Sequence, residues 1–223
     1  MSSTIEPPVD DEVIRVKAAT DRLLDTPGVG DLVAAYFDPD GRFAADTFDA
    51  LEPRDDCRLT VTDLLAVTFL NVTVKPRVAR LILRRDAREL ERQLGLLCPD
   101  VPLWEADDAT LKSACELFEW LDAYDEVGPV IASKVLARKR PALIPIVDRV
   151  VAEVLCLPVG RAWITLRVVL QDPHLRATID GLRRTPDDQT TTIRLLDVAA
   201  WMRGSRSRNA KAARAALGVP ELS

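Results

Sequence analysis

Histidine is almost missing from this 223-residue chain: there is one, His174. A Ser-His-Asp or Cys-His mechanism would have to use it. It follows Asp172-Pro173, which reads as a helix start, so a surface or capping role is expected. Cysteine is sparse and scattered, at 57, 98, 115 and 156. No pair has the C-x-x-C spacing of a zinc or iron–sulfur site, and the expectation is four free, buried thiols with no metal. Aromatics make up 5% of the residues. The four tryptophans, at 104, 120, 163 and 201, fall on apolar helical faces and are expected in the core. No apolar run approaches membrane-spanning length, and Met1–Pro8 has neither the basic nor the apolar region of a signal peptide. A disordered lead over residues 1–10 and a cytoplasmic location follow as expectations. There is no glycine-rich nucleotide loop, EF-hand or His-Glu-x-x-His motif, and no cofactor is expected.

What is present is helix-forming. Hydrophobic residues make up 48% of the chain, and Ala, Leu, Arg and Asp are abundant, as in a helical protein from a high-GC genome. Asp10-Asp11-Glu12 precedes apolar residues at helical spacing, and Pro27-Gly28 stops that run. Asp38-Pro39-Asp40-Gly41 reads as a turn, and Thr60-Val61-Thr62-Asp63 as a capping box. Residues 72–74 read as an extended loop ahead of Pro76. The spacing predicts an amphipathic helix over 76–97. On its outer face Arg84, Arg85, Arg88 and Arg92 alternate with acids, so a solvated surface is expected there. A helix capped by Thr110 runs to about Tyr124. Later helices are expected at 129–138, 146–156, 161–171, 173–184 and 191–203. Gly204–Arg208 reads as a flexible basic linker to a short helix at 209–217. The expected organisation is a helical domain over 11–203, followed by the linker and terminal helix, 204–223.

The net charge of −5 conceals an asymmetry. Residues 1–126 carry 14 Lys/Arg and 27 Asp/Glu, and residues 127–223 carry 16 and 8. A basic C-terminal half fits a polyanion partner on one face. Equally, attraction between the two halves would stabilise a single domain.

The boundary between the halves is the most informative segment. It begins Glu126-Val127-Gly128-Pro129-Val130-Ile131-Ala132-Ser133-Lys134. It continues through Arg138-Lys139-Arg140-Pro141 to Pro145-Ile146-Val147-Asp148. This reads as a helix, a hairpin at Val127-Gly128, a basic helix, and an aspartate opening the next helix. Such a hairpin offers backbone N–H groups to a phosphate, and Lys134, Arg138, Lys139 and Arg140 offer charge. The other reading of those four is a solvated, basic helix end. Asp148 likewise reads either as a carboxylate doing chemistry or as a helix-start acid. Glu126 opposes phosphate binding, or pairs with Lys134 or Arg138.

The segment resembles the helix-hairpin-helix DNA glycosylase superfamily (HhH-GPD) over about residues 117–156. Gly128 matches the second glycine of that hairpin, Ala132 its small helix residue, and Val147-Asp148 the Val-Asp pair. The resemblance implies an all-α, two-lobed helical fold with a cleft and a helix-hairpin-helix at about 111–138. Duplex DNA would be the partner, with backbone contacts at Val127, Gly128, Val130, Lys134, Arg138, Lys139 and Arg140. Asp148 would be the catalytic carboxylate of a base-excising N-glycosylase, with Trp120 and Tyr124 able to line a base pocket. Two departures matter. Glu126 replaces the first hairpin glycine, and Val130 replaces the lysine of lyase-type members, so any activity would be monofunctional. The four-cysteine cluster of some members is missing. The chain is more closely similar to an uncharacterised bacterial family with the string Val-Gly-Pro-x-x-Ala-Ser-Lys-x-Leu-Ala-Arg-Lys-Arg-Pro, which Leu196-Asp197-Val198 and Trp201-Met202-Arg203 also fit. That family implies no activity. The alternative function is therefore a non-catalytic helical module used for protein contacts.

Overall fold

A computed structural model describes residues 7–53 and 55–220, and among them every regular element is helical. The elements are α1 (Asp10–Leu24), α2 (Val29–Tyr36), α3 (Ala45–Ala50), α4 (Val61–Ala66), α5 (Pro76–Arg80), α6 (Ala87–Leu94), α7 (Asp108–Asp122), α8 (Gly128–Lys139), α9 (Arg149–Val154), α10 (Ala162–Val169), α11 (Pro173–Asp180), α12 (Thr192–Gly204) and α13 (Arg208–Leu217). Side-chain oxygens decide where many of them start. Thr60, Asp107, Asp148, Asp172, Thr191 and Ser207 each accept a first-turn N–H. Each such cap contributes about 1 kcal/mol. The box at Thr60 is reciprocal, since its backbone N–H donates to the Asp63 carboxylate at 2.8 Å.

The described residues divide into two units. One comprises residues 47–146. Here α7 packs on α6 and α8, and α8 packs on α4 and the 3-10 turn Val67–Leu70. Leu64, Leu90, Leu94, Leu111, Leu117 and Leu136 are buried in its core. The other unit joins residues 7–46 to 147–220. Its centre is α12, which packs against α1, α2, α9, α11 and α13. Eleven of the thirteen α12 residues are buried, so its apolar residues run around the whole helix rather than along one stripe. A buried ion pair lies within it, Arg194 to Asp197 at 2.8 Å.

Several elements differ from expectation. The predicted helix over 76–97 is broken: a π turn, Leu81–Arg85, separates α5 from α6, and the Asp86 N–H bonds Leu81 O at 2.9 Å. Asp107, not Thr110, caps α7; Thr110 is the donor, at 2.7 Å. The expected linker at 204–208 is a short turn with Ser205 buried, tied by an Arg214 bond to the Ser205 carbonyl. The cysteines are free but not buried: Cys57 and Cys98 are exposed, and Cys115 and Cys156 half-buried. The tryptophans are half-buried rather than fully enclosed. His174, by contrast, is exposed as expected, and its backbone N–H donates to Asp172. Residues 1–6 of the expected lead lie outside the described residues, and Asp10 already belongs to α1. Among the described residues no helix is long and apolar enough to cross a membrane, and no group of His, Cys, Asp and Glu is placed to hold a metal.

Candidate nucleic-acid interface

The hairpin joining α7 to α8 belongs to the first unit. The Val127 N–H closes it on Tyr124 O at 3.1 Å. Its two outer positions take left-handed backbone, φ 71° at Glu126 and 66° at Gly128, with Val127 buried between them. A Cβ on Gly128 would meet nothing within 4 Å, so the demand for glycine there comes from φ alone. Glu126 meets the same demand without being glycine. It is exposed and makes no ion pair among the described residues, so the pairing with Lys134 or Arg138 does not form. The first-turn N–H groups of α8 have no acceptor within the helix. Val130 is half-buried on that turn.

The basic end of α8 is not a solvated face. Lys134, Arg138, Lys139 and Arg140 are all buried, and Lys139 is 0% exposed. Each donates to main-chain carbonyls inside its own unit. Lys134 Nζ bonds Leu70 O at 2.8 Å, at the end of the 3-10 turn. Arg138 bonds the carbonyls of Phe48 and Asp49, both at 2.9 Å, and that of Leu51, at and just beyond the end of α3. Arg140 bonds Leu94 O at 2.7 Å and Leu97 O at 2.9 Å, where α6 ends, and Asp56 O at 2.8 Å. Lys139 bonds Asp55 O at 2.7 Å and pairs with the buried Asp63 carboxylate. Arg138 lies 3.6 Å from the other Asp63 oxygen. The last carbonyls of a helix lack internal partners and carry the negative end of its dipole. The end of α8, with Arg140 just beyond it, therefore caps α3, the 3-10 turn and α6, and holds the carbonyls of Leu51, Asp55 and Asp56. Burial pulls the Lys139 ammonium below its ordinary range, and Asp63 offsets part of that. Asp63 was legible as a capping residue; nothing in the sequence pairs it with α8.

Asp148 belongs to the second unit, where it is half-buried and caps α9, accepting from the Val151 N–H at 2.9 Å. Tyr124, on the arm entering the hairpin, donates its hydroxyl to Asp86 at 2.6 Å and meets Trp120 edge-on at 5.1 Å. Arg85 grips the same carboxylate with two bonds, at 2.8 and 2.7 Å. Those bonds hold Asp86 below the usual carboxylate range. Burial and the Asp86 bond raise the Tyr124 phenol well above its ordinary value.

The fold and these residues define an all-helical protein of two units, with a tight hairpin in one and a capping carboxylate in the other. The chain belongs to a family of unknown function (DUF6308), whose model matches residues 29–204. No curated protein and no solved structure matches it.

Proposed function

We propose that this protein binds duplex DNA through a helix-hairpin-helix. The backbone of residues 126–128 carries the proposal: two left-handed positions flank one buried apolar residue, where the resembled motif places Gly-hydrophobic-Gly. With the α8 cations turned inward, the hairpin's share of binding would come from its N–H groups. The acidic side chain of Glu126 then weakens a phosphate contact that the backbone favours. Wild type should bind labelled duplex in fluorescence anisotropy at low salt, with affinity falling as salt rises. Glu126→Gly should bind more tightly, since it removes a negative charge and suits φ 71°. No binding by wild type at low salt would overturn the proposal.

N-glycosylase chemistry is the catalytic extension of this reading and assigns the carboxylate to Asp148. Asp148 already has a capping task, so DNA binding is the function proposed and base excision its extension. The burial of the four α8 cations favours a second reading, a non-catalytic helical module used for protein contacts. Failure of wild type to bind duplex would favour that reading.

A further inference from the structure

We infer that the side chains of the first unit that contact phosphate, in addition to the hairpin N–H groups, are an arginine stripe on α5, the π turn and α6, not the buried cations of α8. Arg77, Arg80, Arg84 and Arg88 are all exposed. Their spacings of three, four and four residues place them on one helical face. The hydrogen-bond ladder continues through the π turn, with Asp86 N bonding Leu81 O and Leu90 N bonding Asp86 O, both at 2.9 Å. The stripe spans roughly 16 Å at the helical rise. Opposite it, Val78, Ile82, Leu90 and Leu94 are buried in the unit.

The acids of the same segment do not neutralise these four. Asp86 is taken by Arg85 and Tyr124, Glu89 by Arg92 and Gln93, and Glu91 by Arg58. Among the described residues, Arg77, Arg80, Arg84 and Arg88 make no ion pair and no side-chain hydrogen bond. Four exposed guanidinium groups thus remain uncompensated, with the exposed Lys75 just ahead of them. Guanidinium forks suit phosphate oxygens, and a row of them suits a repeating phosphodiester chain. A membrane surface fits less well, because a helix lying in lipid needs an outward apolar face and the large apolar residues of α5 and α6 turn inward. The Tyr124–Asp86 bond ties this segment to the arm that enters the hairpin. The occupant is the backbone of duplex DNA, and this assignment rests on the DNA-binding reading.

The test compares three proteins on one labelled duplex across a salt series: wild type, the fourfold variant Arg77→Gln, Arg80→Gln, Arg84→Gln and Arg88→Gln, and a control, Arg206→Gln with Arg208→Gln. All six positions are exposed, and circular dichroism checks that each variant is folded. Each lost phosphate contact lowers the slope of log K against log salt by about 0.9, so the fourfold variant should lose about 3 to 4 units of slope. The control should keep the wild-type slope. A folded fourfold variant with the wild-type slope overturns the stripe and leaves the DNA reading standing. A wild type that does not bind duplex at low salt overturns both. Wild type that binds phosphatidylserine vesicles through the stripe but no duplex overturns the assigned occupant.

Discussion

Replacing Lys139 by Met tests the interior reading of the basic helix most directly. The side chain is fully buried, and its ammonium bonds Asp55 O and pairs with Asp63. Methionine can fill much of the same volume but supplies no charge and no donor. The Asp63 carboxylate would stay buried, held by the Thr60 N–H and hydroxyl and by Arg138, with one cation gone. Breaking one side of a buried pair costs about 3–5 kcal/mol. At this chain length that corresponds to a fall in Tm of roughly 6–20 °C. Asp63→Ala should also destabilise, and the double variant should cost less than the sum by about 0.5–3 kcal/mol, since both changes remove one interaction. The pH dependence carries a second signature. Burial lowers the folded pKa of Lys139, so just below the ordinary lysine value the unfolded chain binds more protons, and stability rises with pH across that window. The rise should disappear in Lys139→Met. Chemical denaturation measured across pH reads both effects, while duplex affinity of the folded variant should stay at the wild-type value. A variant within about 0.5 kcal/mol of wild type would place the ammonium in solvent and refute the burial argument.

Asp148→Ala should cost about 1 kcal/mol by removing the α9 cap, whereas Asp148→Asn should be almost neutral. If Asp148 is also catalytic, the Asn variant loses base excision on damaged duplex while its melting is unchanged; unaltered excision would leave the carboxylate a cap alone. Tyr124 should ionise well above the ordinary tyrosine range in ultraviolet titration, and Asp86→Ala should move it back toward that range without restoring it, because burial is the larger cause. Its folded pKa is raised, so the stability it contributes is present below the unfolded value of about 10 and is lost as pH rises through the folded value. A Tyr124 transition unmoved by Asp86→Ala would remove the hydrogen bond from the account.

The local features were readable without coordinates because each depends on a few adjacent residues. The Thr60 box, the Asp38–Gly41 turn, the helix pair around Gly128 and the helix start at Asp148 follow from backbone preference and from which oxygen sits beside a first-turn N–H. The same rules made the basic end of α8 ambiguous, since the spacing of Lys134, Arg138, Lys139 and Arg140 is equally compatible with water, phosphate or protein beyond the helix. Tertiary structure resolved that ambiguity: the carbonyls of Phe48, Asp49, Leu51, Asp55, Asp56, Leu70, Leu94 and Leu97 accept from these four side chains, and buried carbonyls require donors. The outer face of 76–97 is exposed, as its pattern implied, but the pairing along it was not readable from that pattern. By sequence its arginines alternate with acids, but the acids bind Arg85, Arg92, Tyr124 and the distant Arg58, leaving Arg77, Arg80, Arg84 and Arg88 in excess. Sequence alone determined where the charges lie along the helices. Only the fold decided which charges were consumed, because their partners lie up to 90 residues away in the chain.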